Sequence, residues 1–370
     1  MDGVAMNAVR RLRAGLRGWG GVGSMAVLCA LAVVFALVLP VSGTRGDGVT
    51  TAGGQGVALG TQARVDQDCV KKKDPQDRSL RPSSDESGTT IQRIKDNGFI
   101  TVGVDQNSYR WGYRDPNAKD DGAQLEGFDI DIVRRIAKEI LGDPDKVHFK
   151  AIPTSRRIPA LRDGEVDMVV RTMTISCERM DEVAFSQPYF RTGQQVLAPK
   201  SSTIKGYGKS LADKKICTAA TSTALTALTA GKKSGEVPAS TDISLQVPNQ
   251  LDCLVRLQLG QVDAVVTDGA LAASQAAQDP TVDLKGEPFT TEYYGVAMNL
   301  DAKDLVRRVN QVLVDYLKDG WQDSYTTWLS ATMVGGAERS RPPSPSGTRT
   351  DARGRSTRTV CRGIQRTASN

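Results

Sequence analysis

Short apolar runs alternate with amphipathic segments between about residues 90 and 333. The run Phe99–Val104 is apolar and short, which predicts a buried strand. Phe128–Leu141 carries apolar residues at helical spacing and acidic residues in its first turn, where they complement a helix dipole. This alternation predicts α/β sheets with crossover helices. By the same criteria we predict strands at Val147–Ile152, Val166–Val170, Leu211–Thr218, Leu245–Pro248 and Val262–Thr267, and helices at Thr90–Asn97, Ser155–Asp163, Ser222–Ala230, Asn249–Leu259 and Ala270–Ala277.

One seven-residue pattern, G-x-V-D-x-V-V, occurs twice. The copies are Gly164–Val170 and Gly260–Val266, and their starting residues are 96 positions apart. Each copy follows an amphipathic helix and begins a buried strand. Common residues can produce such a match by chance, but the shared context favours two related α/β lobes.

Polar residues follow the predicted strands at corresponding places in the two lobes. Thr172 and Asp268 each lie five residues beyond the aspartate of a repeat copy. Asp105 ends the first strand of the first lobe, and the first strand of the second lobe leads into Thr221-Ser222-Thr223. Ligands of open α/β sheets bind beyond the carboxyl ends of the strands. A cleft between the lobes would therefore be lined by all four places.

These residue types match the needs of a free amino acid. Its carboxylate calls for a guanidinium with nearby hydroxyl or N–H donors, and its ammonium calls for a carboxylate. Arg179, with Thr172 and Thr174 as donors, would supply the first set, and Asp268 the second. Two structural alternatives stay open: Arg179 as a solvated surface residue, and Asp268 as the N-cap of the next helix.

The N-terminal segment, residues 1–44, predicts export. Four arginines precede an apolar stretch, Val22–Val41, that is long enough to span a bilayer. Three interpretations remain: a signal peptide cleaved near Val41-Ser42-Gly43, an uncleaved anchor, or a lipidated Cys29. Residues 45–89 are rich in Gly, Ser, Thr and Asp, and we expect them to form an extracellular linker.

The formal net charge of +6 does not indicate nucleic-acid binding, because residues 335–370 alone account for it with eight arginines and two acids. This C-terminal segment has almost no apolar residues, so it cannot bury enough surface to offset the entropy of ordering. We expect residues 334–370 to be a disordered basic tail, and we assign no function to it.

Cysteine and histidine usage fits an exported protein without a metal or cofactor. Outside Cys29 and Cys361, four cysteines remain, an even number that suits an oxidising compartment. Four cysteines allow three pairings, which spacing does not resolve; we favour Cys217–Cys253, leaving Cys69–Cys177. The only histidine is His148, and no cysteine spacing suits zinc.

From about residue 90 to 333 the chain resembles the solute-binding proteins of polar amino-acid ABC transporters, in particular actinobacterial members that bind glutamate, aspartate or glutamine. The resemblance is carried, in family order, by VGVDQNSY, LEGFDIDIVRRIAKEI, VDMVVRTMTIS followed by CER, VAFSQPYF, VDAVVTD and the SLRP segment Ser79–Pro82. It implies the type 2 periplasmic-binding fold, a two-lobed Venus flytrap in which each lobe is a mixed sheet flanked by helices. Lobe 1 would comprise residues 90–193 and 295–333, lobe 2 residues 197–290, with hinge crossings near Thr192–Val196 and Tyr293–Val296.

The resemblance also implies roles for single residues. Arg179 matches the arginine that clamps the α-carboxylate, and Asp268 the acid that receives the ammonium. Thr221 replaces the glycine usual before the second-lobe donors, which puts the local backbone geometry in question. The remaining matches are Thr172 and Thr174 as carboxylate and ammonium ligands, Ser222 and Thr223 as helix-start donors, and Asp105 and Tyr109 as the first-lobe wall.

Arg171 is the candidate for specificity, because many relatives have a small residue there and a cation in the cleft would pair with a side-chain carboxylate. The alternative is a position at the rim that steers anions only weakly. We therefore expect glutamate or aspartate, or else glutamine or asparagine, to be bound for uptake through an ABC permease by a monomer without enzymatic activity. A ligand sensor that feeds a membrane receptor or kinase pathway is an alternative, and a dehydratase or lytic enzyme on the same fold is a weaker one.

Overall fold

Two five-stranded sheets organise the computed structural model, which describes residues 75–115, 124–333 and 335–343. The first sheet has the order β5-β1-β6-β15-β7 and the second the order β11-β10-β12-β9-β13. In each sheet the first three strands are parallel and the last two run antiparallel to their neighbours. The strands are β1 Ile100–Val104, β2 Asn107–Ser108, β3 Gly112–Arg114, β4 Leu125–Glu126, β5 Val147–Ala151, β6 Met168–Val169, β7 Ala184–Phe185, β8 Phe190–Thr192, β9 Gln194–Pro199, β10 Ile216–Ala219, β11 Gln246–Val247, β12 Ala264–Asp268, β13 Val282–Lys285, β14 Glu292–Tyr294 and β15 Ala297–Met298.

Helices pack on the faces of both sheets. All twelve predicted elements, six strands and six helices, are present, most of them with bounds shifted by a few residues. Sequence reasoning did not predict the two long helices near the C-terminal end of the domain. The described α-helices are α1 Thr89–Asn97, α2 Phe128–Leu141, α3 Arg157–Arg162, α4 Cys177–Met180, α5 Thr223–Ser234, α6 Gln250–Gln258, α7 Gly269–Gln278, α8 Lys303–Asp319, α9 Trp321–Trp328 and α10 Gly336–Ser340.

Helix α2 shows why an amphipathic sequence pattern predicts a helix in this domain. Most of its apolar side chains, Phe128 and Ile132 among them, are fully buried, while Asp129 and Asp131 occupy the first turn. Gly142 ends the helix at φ 74°, a left-handed conformation that costs glycine little. Burial of one helical face against the sheet, rather than intrinsic propensity, stabilises such a helix.

The two copies of the sequence repeat occupy equivalent positions. The first copy contributes β6 and the second β12, and each is the central strand of its sheet. Each also pairs in parallel with the second strand in the sheet order, β6 with β1 and β12 with β10. This correspondence confirms that the repeat marks two related lobes.

The chain passes between the sheets twice, where we predicted a hinge. Strand β8 leads from the first sheet into β9 of the second, and β14 leads from β13 back to β15. Strands β8 and β14 pair antiparallel, with Glu292 opposite Thr192. A two-stranded connection of this kind allows the lobes to rotate about a narrow axis.

The lobes touch each other directly, so the structure shows a closed arrangement. Across the cleft, the Thr154 N–H donates to the Pro248 carbonyl (3.1 Å). On another side the Trp111 indole N–H donates to Ser274 Oγ (3.2 Å).

The predicted linker and tail are both partly folded on the side nearest the domain. Ser79 Oγ donates to the Phe185 carbonyl (2.7 Å), and Asn310 Nδ2 donates to Ser79 and to the Leu80 carbonyl. At the other end, α10 has a buried Ser340, and Arg341 lies over the Trp321 ring. These residues are ordered because they pack on the first lobe, which composition alone does not reveal. The rest of both segments lies outside the described residues.

The favoured disulfide Cys217–Cys253 is confirmed and joins β10 to α6, with a Cα–Cα distance of 5.5 Å. Cys177 is also disulfide-bonded. Its expected partner, Cys69, lies outside the described residues, as does the apolar segment Val22–Val41. Within the described part of the chain, none of the helices has the length and apolar character needed to cross a membrane.

Candidate functional site

A small polar cleft lies where the strand ends of the two sheets face each other. Six of the nine predicted site residues line it: Thr172, Thr174 and Arg179 from the first lobe, and Ser222, Thr223 and Asp268 from the second. The polar residues that follow the two copies of the sequence repeat therefore indicated the position of this cleft. The other lining residues, which sequence reasoning missed, are Arg157, Gln194, Ala224, Gln250 and Thr267.

Arg179 is buried in the cleft, so the surface alternative is wrong for this residue. Ser176 caps α4 by accepting a hydrogen bond from the Arg179 N–H, which fixes the start of the helix. The guanidinium then donates to the Thr174 carbonyl (2.8 Å) and, across the cleft, to the Thr221 carbonyl (3.2 Å). Burial lowers the pKa of Arg179, and the nearby carboxylates oppose that shift. A bound carboxylate would add a direct partner for this cation.

Asp268 ends β12 and is also buried, 6% exposed. It precedes α7, but its side chain makes no capping hydrogen bond, so the N-cap alternative does not describe its role. Instead Gln194 Nε2 donates to its carboxylate. Burial, and then repulsion from Glu292, raises the pKa of Asp268 to about 8. A cationic group in the cleft would restore its charged form.

The two first-lobe threonines are held in different ways. Thr172 adopts a left-handed backbone (φ 41°), and its N–H donates to Asp129 Oδ2 (2.9 Å) inside the lobe. Thr174 directs its hydroxyl to Glu292 Oε2 (2.7 Å). The Thr174 hydroxyl hydrogen is therefore directed to Glu292, which differs from the expectation that Thr174 would donate to a ligand carboxylate.

The second-lobe donors open α5. Ser222 is the N-cap and accepts from the Leu225 N–H (3.2 Å), so its hydroxyl oxygen stabilises the helix end. Thr223 donates to Glu292 Oε2 (2.9 Å). Thr221, which stands where the resemblance expected glycine, keeps the left-handed backbone at φ 59°. The turn is therefore retained despite the β-branched side chain, at a steric cost.

Arg171 does not line the cleft, which corrects its assignment as the specificity residue. It is fully buried and forms an ion pair with Asp105 Oδ2 (2.8 Å). It also donates to Thr154 Oγ1 (3.0 Å) and, across the lobes, to Asn249 Oδ1 (2.8 Å). A buried guanidinium requires such partners, and Asp105 supplies the charge within the protein. The rim alternative is excluded by the same burial, and Asp105 is a partner of Arg171 rather than a wall of the cleft.

Tyr109 also lies outside the cleft. It is half-buried and lines a separate small pocket with Gln250, Ser274 and Gln275. Its ring contacts Tyr113 edge to face, with centroids 5.2 Å apart.

Arg157 is the cation that the cleft presents beside Arg179. Its Nε donates to the Thr154 carbonyl (3.1 Å) and its Nη1 to the Arg171 carbonyl (3.3 Å). Burial, and then the neighbouring Arg179 and Arg171, lowers its pKa well below the usual value. An anion at this end of the cleft would therefore be favourable. The available sequence signal was an arginine opening a short helix directly after a strand, at Arg156-Arg157.

Two related lobes that join through paired strands and bury opposite charges in the cleft between them define a binding protein that closes on a small ligand. Residues 100–331 match the family model of bacterial extracellular solute-binding proteins, family 3, and the chain belongs to this family. The family confirms the prediction of a two-lobed binding protein that is not an enzyme.

Individual relatives match more than half of the chain. The ABC transporter glutamine-binding protein GlnH of Bacillus subtilis (strain 168) is 35% identical over 248 residues, which cover 67% of this chain and 87% of that protein. The glutamine-binding protein of Geobacillus stearothermophilus is 36% identical over 58% of this chain and 78% of its own length. Among solved structures, a solute receptor for L-cysteine of Neisseria gonorrhoeae superimposes with a TM-score of 0.61, 26% identity, and coverage of 68% and 99% of the two chains.

Proposed function

We propose that the cleft binds one free polar amino acid outside the cytoplasm and presents it to an ABC permease. Arg179 would hold the α-carboxylate and Asp268 the α-ammonium. The observation that carries this proposal is the burial of these two residues, which come from different lobes, in one cleft. Both ends of a zwitterion can then be desolvated together without leaving an unpaired charge.

The charge balance of the cleft favours a neutral side chain on that amino acid. Once a ligand ammonium has ionised Asp268, Arg157 and Arg179 provide two positive charges, and Asp268 and the adjoining Glu292 provide two negative ones. A zwitterion with a neutral side chain preserves this balance. Arg171, the cation on which the preference for an acidic ligand rested, is already paired with Asp105. Together with the relatives named as glutamine-binding, these observations favour glutamine.

Glutamate is the second candidate, and Arg157 is the reason for keeping it. Its guanidinium borders the cleft, where burial and two neighbouring arginines disfavour its positive charge. A ligand side-chain carboxylate would supply that charge.

Closure would follow from differential binding. We assign residues 90–193 and 295–333 to lobe 1 and residues 197–290 to lobe 2. A ligand that touches Arg179 and Asp268 together contacts both lobes only when they are closed, so it shifts the population towards the closed form. We propose that residues 1–44 export the chain and hold it at the membrane, where a permease reads the closed form.

Isothermal titration calorimetry with L-glutamine, L-glutamate, L-aspartate and L-lysine tests the proposal. We expect saturable binding of glutamine, weaker binding of glutamate and no binding of lysine. Asp268→Asn and Arg179→Gln should each weaken binding at least 100-fold, because a buried charged partner is lost. The matched control is Arg135→Gln, whose surface ion pairs with Glu139 and Asp319 do not line the cleft. Absence of binding for all four amino acids by the unaltered protein would refute the proposal.

A further inference from the structure

A single carboxylate oxygen in the hinge accepts hydrogen bonds from both lobes. Glu292 lies on β14 and is 9% exposed. Its Oε2 accepts from Thr174 Oγ1 of the first lobe (2.7 Å) and from Thr223 Oγ1 of the second (2.9 Å). Its other oxygen accepts from Thr290 Oγ1 (3.2 Å), which fixes the orientation of the carboxyl group.

This arrangement determines what the two threonines can offer to a ligand. A hydroxyl has one hydrogen and two lone pairs. Thr174 and Thr223 both direct their hydrogen to Glu292, and both line the cleft. Only their lone pairs are left for a bound molecule. Gln194 Nε2 already donates to Thr223 Oγ1 (3.1 Å), so Thr174 retains more accepting capacity than Thr223.

We propose that Glu292 is a positioning residue for recognition of the α-amino group. By accepting both hydrogens, it turns Thr174, and to a lesser extent Thr223, into acceptors that complement an ammonium next to Asp268. A ligand carboxylate gains nothing from these oxygens, because two acceptors cannot bond to each other. The inference deepens the proposed function and rests on it. Glu292 itself touches the threonines and is not placed in contact with the ligand.

The test compares a ligand with the same molecule lacking the amino group. L-Glutamine and glutaramic acid differ only in the α-ammonium, so the ratio of their affinities measures recognition of that group. Calorimetry at pH 8.5, above the pKa of about 8 of Asp268, keeps most of that carboxylate ionised. We expect Glu292→Gln to reduce the glutamine-to-glutaramic-acid affinity ratio at least tenfold, because the amide can donate and so reverse the hydroxyls. Glutaramic acid should bind both proteins within a factor of about three.

A double-mutant cycle separates hydroxyl orientation from the loss of a charge. Thr174→Val should reduce the same ratio, and adding Glu292→Gln to it should produce little further loss. If Glu292 acted only through its negative charge, its full effect would persist in the Thr174→Val background, which would overturn the proposal. Glu287→Gln, at an exposed glutamate of the same connection, is the matched charge control and should leave the ratio unchanged.

The results that would overturn the role of Glu292 differ from those that would refute amino-acid binding by the cleft. Absence of glutamine binding by the unaltered protein would refute that function and not the role of Glu292 alone. If Glu292→Gln does not fold, as judged by its melting temperature, Thr174→Val carries the test by itself. An unchanged affinity ratio in a folded Thr174→Val variant would overturn the inference.

Discussion

Protonation of Asp268 should make amino-acid binding strongly dependent on pH. Its pKa is raised to about 8 in the ligand-free closed form, first by burial and then by Glu292. A ligand ammonium requires the ionised carboxylate, so the proton must leave on binding. Because the pKa is raised above its value in an unfolded chain, protonation also stabilises the ligand-free fold. That fold should therefore gain stability as the pH falls from 8 towards 4.

The expected change in affinity follows from the fraction of Asp268 that is ionised at each pH. With a pKa of about 8, the carboxylate is about half ionised at pH 8 and only about 1% ionised at pH 6, so affinity for L-glutamine should fall about 50-fold over that range. At pH 7 binding should release close to one proton for each ligand. Calorimetry in buffers of different ionisation enthalpy measures both quantities.

Glutaramic acid provides the control, because it has no ammonium and does not require Asp268 to ionise. Burial also raises the pKa of Asp129 to about 7, but that residue is bonded to Thr172 and Tyr189 inside the lobe and should affect both ligands alike. An affinity for glutamine that changes less than threefold between pH 6 and 8, without proton release at pH 7, would refute the assignment of Asp268 to the ammonium in this closed form.

Two substitutions should change stability in opposite directions. Thr221→Gly removes a β-branched side chain from a left-handed backbone conformation. After the entropic cost of glycine is subtracted, we expect the free energy of unfolding to rise by about 0.5–1 kcal/mol with unchanged ligand affinity, as measured by thermal denaturation. An equal or lower melting temperature would show that Thr221 is not strained. Arg171→Met leaves Asp105 buried without its partner and should destabilise the fold by about 3–5 kcal/mol in urea denaturation. A stable Arg171→Met protein that lost affinity only for acidic ligands would restore Arg171 as the specificity residue.

The sequence predicted the parts of the site that depend on local order along the chain. Thr172 and Asp268 were found because each lies just beyond a copy of the repeat, and Arg179 because it lies about one turn into the segment after the first copy. Arg171 was misjudged because its environment depends on Asp105, 66 residues earlier, and on a residue of the other lobe. Glu292 was missed because its partners come from three separate segments.

The secondary-structure predictions likewise succeeded where the sequence carries a clear local pattern and failed elsewhere. The helix Phe128–Leu141 was predicted with its observed bounds, because burial of one face imposes a clear period. The helix Lys303–Asp319 also has a regular apolar face, but it lies beyond the second repeat copy and was not predicted. Strands of two or three residues, such as β8 and β14, are too short to show alternation.

The packing of the N-terminal residues from Ser79 onwards has a mechanical consequence. Ser79 and Leu80 are hydrogen-bonded to Asn310, and Glu86 is ion-paired with Arg308, so this stretch is fastened to the first lobe. Near the other end of the described residues, Arg341 rests on Trp321 of the same lobe. Tension applied through either end would load this lobe alone, and the other would remain free to swing about the paired strands.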